Sequence, residues 1–576
     1  MPLILLHEKE RQEWLAFREP AEVLQTWDPL QIPYLLRQLE ERSRYHNRWA
    51  VGFLAYEASS AFDAALRTRD ASSGSFPLAW FGLFDTPVVL PDLPSRGTDT
   101  FASGDWVHEI DRPEFESAIR QIREHIRNGD TYQVNFTFRM RSAFAGDPLG
   151  FFLDLQRRQP GGYGAYIECD TFAIASVSPE LFFRRDGEHI TTRPMKGTRR
   201  RGLTTASDRE LREALRTSHK DRAENLMIVD MMRNDLNRIA ISGSVTVPSL
   251  FEIEKYPTVW QMTSTITART TRSWAEILGA LFPCSSITGA PKIRTMEIIE
   301  SLEPSPRGIY TGSIGFLAPD GRSQMNVAIR TVAIDKTTGT ATYGVGGGIV
   351  WDSQPEAEYD ECRSKAAVLS GGTAAAPDRL LETMSVLPEE GVVLLEAHLE
   401  RLSDSAEYFG FALDIGSIRS ALLKLRSREA RVLRLTVDRD GRVEMAESDL
   451  PESGRIRAAV APTPVWSRDP LLYHKTTSRD VYDQALASRD DVDDVILKNE
   501  RGELTEFTIG NLVLEIDRRL VTPPVSSGLL PGTLRQQLLD RGEVTEQLIG
   551  EDDLDSATTI FRINSVRGWQ RVDLVP

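Results

Sequence analysis

The 576-residue chain has only three cysteines, Cys169, Cys284 and Cys362, an odd number without a CxxC pair. Neither a disulfide framework nor a thiolate zinc site is indicated, and reduced thiols in a cytoplasmic setting are the expectation. Basic residues are not in excess: 68 Lys and Arg stand against 84 Asp and Glu, a net charge of −16 spread along the chain. That balance favours solubility and argues against nucleic acid as a partner. Long apolar runs are missing, so no segment spans a bilayer; the start, Met1-Pro-Leu-Ile-Leu-Leu-His-Glu8, has no basic n-region and too short an apolar core for a signal peptide. No membrane association and no targeting signal are expected, and no internal repeat is visible.

What remains is an ordinary globular composition, 41% hydrophobic and 26% charged, in a chain too long for one core, which suggests roughly two to four domains. Small and breaker residues in Leu369-Ser-Gly-Gly-Thr-Ala-Ala-Ala-Pro-Asp378 follow a helical run and precede a new apolar pattern, the clearest boundary. We read one domain over 1–370, a linker at 371–378 and a second domain over 379–576. Before the boundary, short β-like runs such as Gly164–Glu168 and Phe172–Val177 alternate with helical ones, and the smaller second domain is patterned likewise; the fold class is α+β in both.

One residue stands out. Lys196, in Arg193-Pro-Met-Lys-Gly-Thr-Arg-Arg-Arg-Gly202, is an amine in a glycine-bounded turn upstream of two carboxylate-bearing helices. A lysine in a basic run is ordinarily a solvated charge, and only context makes it a candidate nucleophile. The first of these helices, Lys220 to Ile239, places Leu226, Val229, Met232, Leu236 and Ile239 at three- and four-residue steps, a core-facing stripe. Glu224 lies about three turns from Asp235, so both project from a similar side. The second opens at Ser353-Gln-Pro-Glu356, which fits a capping box with Ser353 at the N-cap, and carries Glu358, Glu361 and Lys365. Glu361 and Lys365 also have the spacing of an exposed helical pair. Upstream, Gly346, Gly347 and Gly348 in Tyr343-Gly-Val-Gly-Gly-Gly-Ile-Val350 let backbone N–H groups approach an anion closely.

These residues resemble those of chorismate-utilising enzymes. Ser178-Pro-Glu180, Met195-Lys-Gly-Thr198, Glu224-Asn-Leu-Met-Ile-Val-Asp230, Arg233-Asn-Asp235, Ile287-Thr-Gly-Ala-Pro-Lys292, Arg307-Gly-Ile-Tyr-Thr-Gly312, Val327-Ala-Ile-Arg-Thr331 and Gly346-Gly-Gly-Ile349 through Glu361 occur in the family's order. The resemblance covers about residues 110–370, with Gly52-Phe-Leu-Ala-Tyr-Glu57 similar to the same family's N-terminal region. It implies a large chorismate-binding β-sandwich with helices. It also implies a Mg²⁺ held by Glu224 and Glu361, with Glu358 nearby, as suits hard oxygen ligands and a dianionic substrate. Tyr310, Arg330, Lys365, Thr288 and the Gly346–Gly348 amides would hold the substrate. Glu180 would protonate the departing 4-hydroxyl, which requires a raised pKa. Lys196 sorts the family: anthranilate synthases carry a small residue there, aminodeoxychorismate synthases a lysine that occupies ring C2 and directs nitrogen to C4. Such a lysine must be partly neutral near pH 7. Gln261, in Trp260-Gln-Met-Thr-Ser264, stands where the family usually has histidine and weakens the anthranilate reading.

The second half carries Lys475 ahead of a helical run, a hairpin pattern turning at Arg501-Gly502 that delivers Glu506 to a strand end, and Gly528-Leu-Leu-Pro-Gly-Thr-Leu-Arg535, a glycine-containing turn opening a helix. With His398-Leu-Glu-Arg-Leu402 these resemble class IV aminotransferase-fold proteins, which include aminodeoxychorismate lyases. The resemblance implies pyridoxal 5′-phosphate, bonded by Lys475, paired at its ring nitrogen with Glu506 and held at its phosphate by Arg401, Gly532 and Thr533. Taken together, the expectation is 4-aminobenzoate synthesis for folate from chorismate and ammonia, with loss of pyruvate. None of the three cysteines lies in a Gly-x-Cys-x-Gly elbow, so a separate glutamine amidotransferase subunit or free ammonium would supply nitrogen. A homodimer through the second domain is compatible with this reading. The alternatives are an anthranilate-type or other chorismate-aminating synthase whose C-terminal half is a transaminase or a non-catalytic interaction module.

Overall fold

The computed structural model describes residues 2–71, 74–93, 100–160, 162–369, 377–452 and 454–576. Most of the expected linker, 371–376, lies outside the described residues. The chain divides into two compact units, Met1–Arg200 with Arg212–Gly371, and Arg201–Leu211 with Gly372–Pro576.

The first unit is built on two large sheets among the described residues. The eleven-stranded one runs Gly289–Ala290, Gln133–Gly146, Thr340–Ile349, Thr331–Asp335, Phe172–Ser178, Tyr163–Glu168, Leu3–Glu8, Glu13–Arg18, Val88–Leu90, with two short strands on Gln133–Gly146. The ten-stranded one runs Met195–Arg200, Val259–Arg269, His189–Arg193, Leu181–Asp186, Ser323–Asn326, Ser313–Leu317, Trp49–Leu54, Ala79–Phe84, Glu22–Thr26, with Thr246–Lys255 also paired to Val259–Arg269. Strand alternation decides what each face meets. Ile4 and Leu6 enter a core shared with Val51, Phe53 and Trp80 of the other sheet, whereas Leu5 between them joins a second core under the helices Arg112–Arg127 and Pro148–Arg158. A third core lies under Ile32–His46, His219–Asn237 and Trp274–Leu281. The result is a sandwich with helices on both outer faces, as the α+β reading expected.

Two local expectations are corrected. In the helix His219–Asn237, Leu226 is 44% exposed, and the buried positions are Asn225, Ile228, Val229, Met232, Asp235 and Leu236. At 100° per residue these form one arc, and Leu226 lies about 120° from its centre. Glu224 and Asp235 fall together at the arc's edge. The helix Pro355–Ala366 has Gln354, not Ser353, at its N-cap, and no side chain caps it. The Ser353 hydroxyl instead accepts the Val350 N–H at 3.1 Å, closing the preceding turn.

In the second unit, a four-stranded sheet, Gly391–Val392, Arg379–Leu387, Arg431–Asp438, Val443–Asp449, packs against the helices Leu395–Phe409 and Ile415–Lys424. An eight-stranded sheet runs Leu504–Phe507, Asp494–Lys498, Ile456–Val460, Gly568–Leu574, Thr559–Asn564, Gly510–Ile516, Arg519–Thr522, Thr545–Glu546, and pairing of Leu504–Phe507 with Gly510–Ile516 closes six of these strands into a ring. That closure removes the free edge of Leu504–Phe507 and encloses the core of Ile496, Leu504, Leu512 and Leu514. No helix among the described residues is long and apolar enough to cross a membrane.

Candidate active sites

Lys196 sits on Met195–Arg200, an edge strand whose register against Val259–Arg269 slips between Met195 and Thr198. Gly197 makes that slip possible with a φ of +89°. Gln261 secures it, donating to Gly197 O at 2.9 Å and accepting from the Thr198 hydroxyl at 2.9 Å. The bulge turns the Lys196 amine toward the glycines: a Cβ built on Gly348 would lie 3.4 Å from Lys196 Nζ. Desolvation lowers the pKa of this amine against the opposing pull of Glu180 and Glu224.

Glu180 is 3% exposed and its carboxyl is pushed up to about 7, chiefly by burial, with Ser286 and Lys196 pulling the other way. Its segment is pinned by the Ser178 hydroxyl, which donates to Val327 O at 2.6 Å and accepts from Glu180 N–H at 3.2 Å. The strand Thr340–Ile349 lays Gly346, Gly347 and Gly348 against Thr137, Phe136 and Asn135 as a bare floor. A Cβ on Gly347 would lie 3.4 Å from Glu358 Oε2 and 3.7 Å from Lys365 Nζ; on Gly348 it would overlap the Gln133 amide nitrogen. Lys365 is anchored by Gly346 O at 2.8 Å and Glu361 at 2.8 Å. Burial alone would lower its ammonium, but Glu361 overrides this and raises it, while Lys365 in turn holds Glu361 below its ordinary value.

Glu224 is raised by burial and by the neighbouring carboxylates of Asp221 and Glu358; Glu358 is raised by burial and by Glu361. The three glutamates from two helices therefore share one electrostatic environment with Lys196 and Lys365. Among the described residues no three carboxylate, imidazole or thiol groups form a ready metal cage. Mg²⁺ does not require one, since it binds through one or two carboxylates, ligand oxygens and water, and Glu224 and Glu358, both raised above their ordinary range, suit a cation beside them.

Tyr310 is buried, with Arg139 5.4 Å over its ring and Gly344 against it. Arg139 and Arg307 share Glu303, at 3.0 and 2.7 Å, all nearly inaccessible. Arg330 has a left-handed φ of +50° and a pKa lowered by burial, with the Tyr343 and Tyr256 phenols near it, both held neutral by their own burial. The Thr288 hydroxyl is directed at Cys284 O and Ser285 O, both at 3.3 Å, so its proton is already committed. The amide atoms of fully buried Gln133, Glu180 Oε1 and Arg330 Nη1 have no hydrogen-bond partner among the described residues. Sequence reasoning overlooked Gln133, the first polar position of the alternating run Gln133-Val-Asn-Phe-Thr-Phe-Arg-Met140. Cys284 and Cys362 are buried thiols pushed up to about 12 by desolvation, and inert.

In the second unit, a cavity of about 250 Å³ brings together Arg401, Lys475, Glu506, Gly532 and Thr533. Lys475 falls to about 8, first through burial and then through Arg401. Glu506, at the end of the hairpin strand Leu504–Phe507, accepts Tyr482 Oη–H at 2.9 Å and Leu530 N–H at 3.0 Å on Oε1, and Asn511 Nδ2–H at 3.3 Å on Oε2. Burial raises it to about 8 despite these donors. A buried carboxyl so disfavoured as an anion fits a cationic ring nitrogen.

Arg401 is gripped by Glu382 through Nε at 2.9 Å and Nη2 at 2.6 Å. Burial pushes Glu382 up, but Arg401 and His398 override it and leave it at about 2. Thr533 opens the helix Thr533–Asp540 with Gly532 as N-cap and no side-chain cap, which leaves its first amides for an anion. Gly532 must be glycine, because a Cβ would overlap Asn511 Oδ1. Glu382, Tyr482 and Asn511 were not singled out from the sequence, though an acid inside Leu380-Leu-Glu-Thr-Met384 is a polar interruption of a core strand.

Comparison with known proteins agrees with both halves. Residues 1–371 match the family described as chorismate binding enzyme, and residues 379–575 match amino-transferase class IV. Aminodeoxychorismate synthase component 1 of Salmonella typhimurium is 45% identical over 262 residues, covering 45% of this chain and 57% of that protein. The Escherichia coli protein of the same name is 43% identical over 269 residues, covering 46% and 59%. The matched part is thus under two thirds of these relatives. Anthranilate synthase component I from Streptococcus pneumoniae shares the fold with a TM-score of 0.54 and 25% identity, covering 62% of this chain and 91% of that one. The chain belongs to the chorismate binding enzyme family and carries a class IV aminotransferase region behind it.

Proposed function

We propose that the chain makes 4-aminobenzoate from chorismate and ammonia in two steps, one at each site. The observation that carries this is the Lys196 amine, desolvated, beside a Glu180 carboxyl held at about 7 and aimed over the glycine floor.

In the first step the neutral Lys196 amine bonds to ring C2 while the C4–OH bond breaks, and Glu180 gives the departing oxygen its proton, so water leaves. Ammonia then bonds to C4, the C2–N bond to Lys196 breaks, and Glu180 takes the proton from the incoming nitrogen. Lys365, Tyr310, Arg330 and the glycine amides orient the two carboxylates of chorismate, Thr288 supports the floor through its carbonyl, which accepts Asn135 N–H at 2.7 Å, and the unpartnered polar atoms around them suit an anionic, hydrogen-bonding ligand. Glu224 and Glu361, with Glu358 close by, would hold Mg²⁺, which offsets charge on the ring carboxylate.

In the second step Arg401, Gly532 and Thr533 would hold the phosphate of pyridoxal phosphate and Glu506 its ring nitrogen. The bound cofactor supplies an electron sink. Lys475, about half neutral at pH 8, takes the C4 proton of the aminated ring; the C3–O bond breaks with its electron pair going to the departing enolpyruvate, Lys475 returns the proton to the methylene carbon of that enolate, and pyruvate and 4-aminobenzoate leave. Nitrogen comes from a glutamine amidotransferase partner or from free ammonium, the chain works in the cytoplasm, and a homodimer through the second unit is compatible with the site. Incubating the pure chain with chorismate, Mg²⁺ and ammonium and identifying the aromatic product tests the whole reading. The para isomer supports it; the ortho isomer replaces it with an anthranilate-type synthase.

A further inference from the structure

The second unit contains a stretch that its own sequence region does not supply. Residues Arg201–Leu211 are separated by more than a hundred residues from everything else in that unit, yet they reach the loop that carries Lys475. Arg201 pairs with Asp208 at 2.6 Å, with the two side chains only 5% and 6% exposed, and donates to Tyr408 O at 2.9 Å. Its guanidinium lies 4.3 Å over the Tyr408 ring. Asp208 also accepts Gly202 N–H at 2.9 Å, and the Tyr408 hydroxyl donates to Gly202 O at 2.8 Å, so both ends of the interaction are closed.

The Tyr408 ring also stacks on the His474 ring, centroids 4.3 Å apart and planes 29° apart. His474 Nε2 lies 3.2 Å from Leu203 O, and Nδ1 lies 3.1 Å from the Ser405 hydroxyl. A carbonyl only accepts, so Nε2 carries a proton toward Leu203 O while Nδ1 meets the Ser405 hydroxyl, and the two contacts fix one ring orientation. Leu203 packs on the cluster containing Leu472 and Tyr473, and the Thr205 hydroxyl donates to Asp404 O at 2.7 Å. His474 and Lys475 both line the cavity.

We propose that Arg201–Leu211 is a positioning element of the second site: Arg201, Leu203 and Asp208 clamp the His474 ring through Tyr408, and this clamp sets the backbone, and thereby the enclosure, of the adjacent Lys475. The inference rests on the reading of Lys475 as the reacting amine. Its mechanism is exclusion of water. Burial is the largest influence on the Lys475 amine, so a loosened loop admits water and returns the amine toward its ordinary, more basic range.

The test uses the full chain stripped of cofactor, an amine-reactive acylating reagent, and mass spectrometry of the Lys475 peptide across pH. In the unaltered chain the labelling midpoint falls near 8. Arg201→Gln moves it up by about one unit, a roughly tenfold loss of reactive amine near neutrality, and weakens pyridoxal phosphate binding by fluorescence titration, while Arg201→Lys restores part of both. Chorismate consumption with ammonium is unchanged. Should Arg201→Gln fail to fold, Tyr408→Phe, which removes one hydroxyl and keeps the ring, is expected to shift the midpoint in the same direction by less. An unaltered midpoint and cofactor affinity in the folded variant overturn the proposal. Failure of the functional reading looks different: the unaltered chain then binds no pyridoxal phosphate, or Lys475→Ala leaves aminobenzoate output intact.

Discussion

Replacing single glycines of the Gly346–Gly348 floor separates fold from chemistry. A methyl on Gly346 meets the Phe136 carbonyl, a backbone atom of the neighbouring strand, so the sheet itself must part; a cost of about 1–3 kcal/mol is expected, the range for overpacking. A methyl on Gly348 meets instead the end of the Gln133 side chain, with Lys196 Nζ at 3.4 Å. The amide can swing and the backbone need not move, so Gly348→Ala should cost less stability than Gly346→Ala. Its effect falls on the bound ring: the methyl, in ordinary contact with Lys196 Nζ, fills space over the floor, and displacing reacting atoms by about 1 Å lowers turnover by about 100-fold. The assay is ammonium-dependent chorismate consumption, with thermal melting on the same samples and 4-aminobenzoate release from supplied aminodeoxychorismate as the internal control. Gly348→Ala should melt within a few degrees of the parent, lose about two orders of magnitude in the first step and keep the second. Retention of first-step turnover within twofold would refute the placement of Lys196 over the floor, and so would equal loss at both steps.

Three further outcomes are expected. Because Glu180 is held near 7, above its unfolded value of 4.5, its contribution to stability is fully present below pH 4.5 and is lost as pH rises through 7; Glu180→Gln should therefore stabilise the chain at pH 8 by about 3 kcal/mol while abolishing chorismate turnover, read by melting and product assay. Glu506→Ala should leave the first step untouched and lower 4-aminobenzoate release from supplied intermediate by at least about tenfold. Chelation of divalent metal should stop chorismate consumption, restored by Mg²⁺, and spare release from the supplied intermediate; loss of both steps would place the metal elsewhere.

Legibility in the sequence followed locality. Glycine-bounded motifs announced themselves because each is a short backbone requirement: Gly197 at +89° permits the bulge at Lys196, and Gly532 tolerates no Cβ beside Asn511. The α+β class was likewise visible, since short apolar runs such as Gly164–Glu168 and Phe172–Val177, set between helical patterns, are local signals of strands. The helix His219–Asn237 shows where periodicity misleads, because Leu226 fits a three- and four-residue spacing yet falls outside the buried arc. Ser353 had the composition of a cap but spent its hydroxyl on the preceding turn. Partners distant in the chain were invisible for a plainer reason. Glu382 with Arg401, Tyr482 with Glu506, and Leu203 with His474 meet only after folding, and nothing in either local sequence names the other.

The most direct measurement withholds ammonia. The chain is incubated with chorismate and Mg²⁺, quenched, digested and examined by mass spectrometry for the peptide bearing Lys196. A mass increase of chorismate less water on Lys196, absent in Lys196→Ala, together with para-aminobenzoate once ammonium is added, is the expected result. No adduct at that residue, with an alanine variant that still directs nitrogen to the same ring carbon at the same rate, would contradict the account.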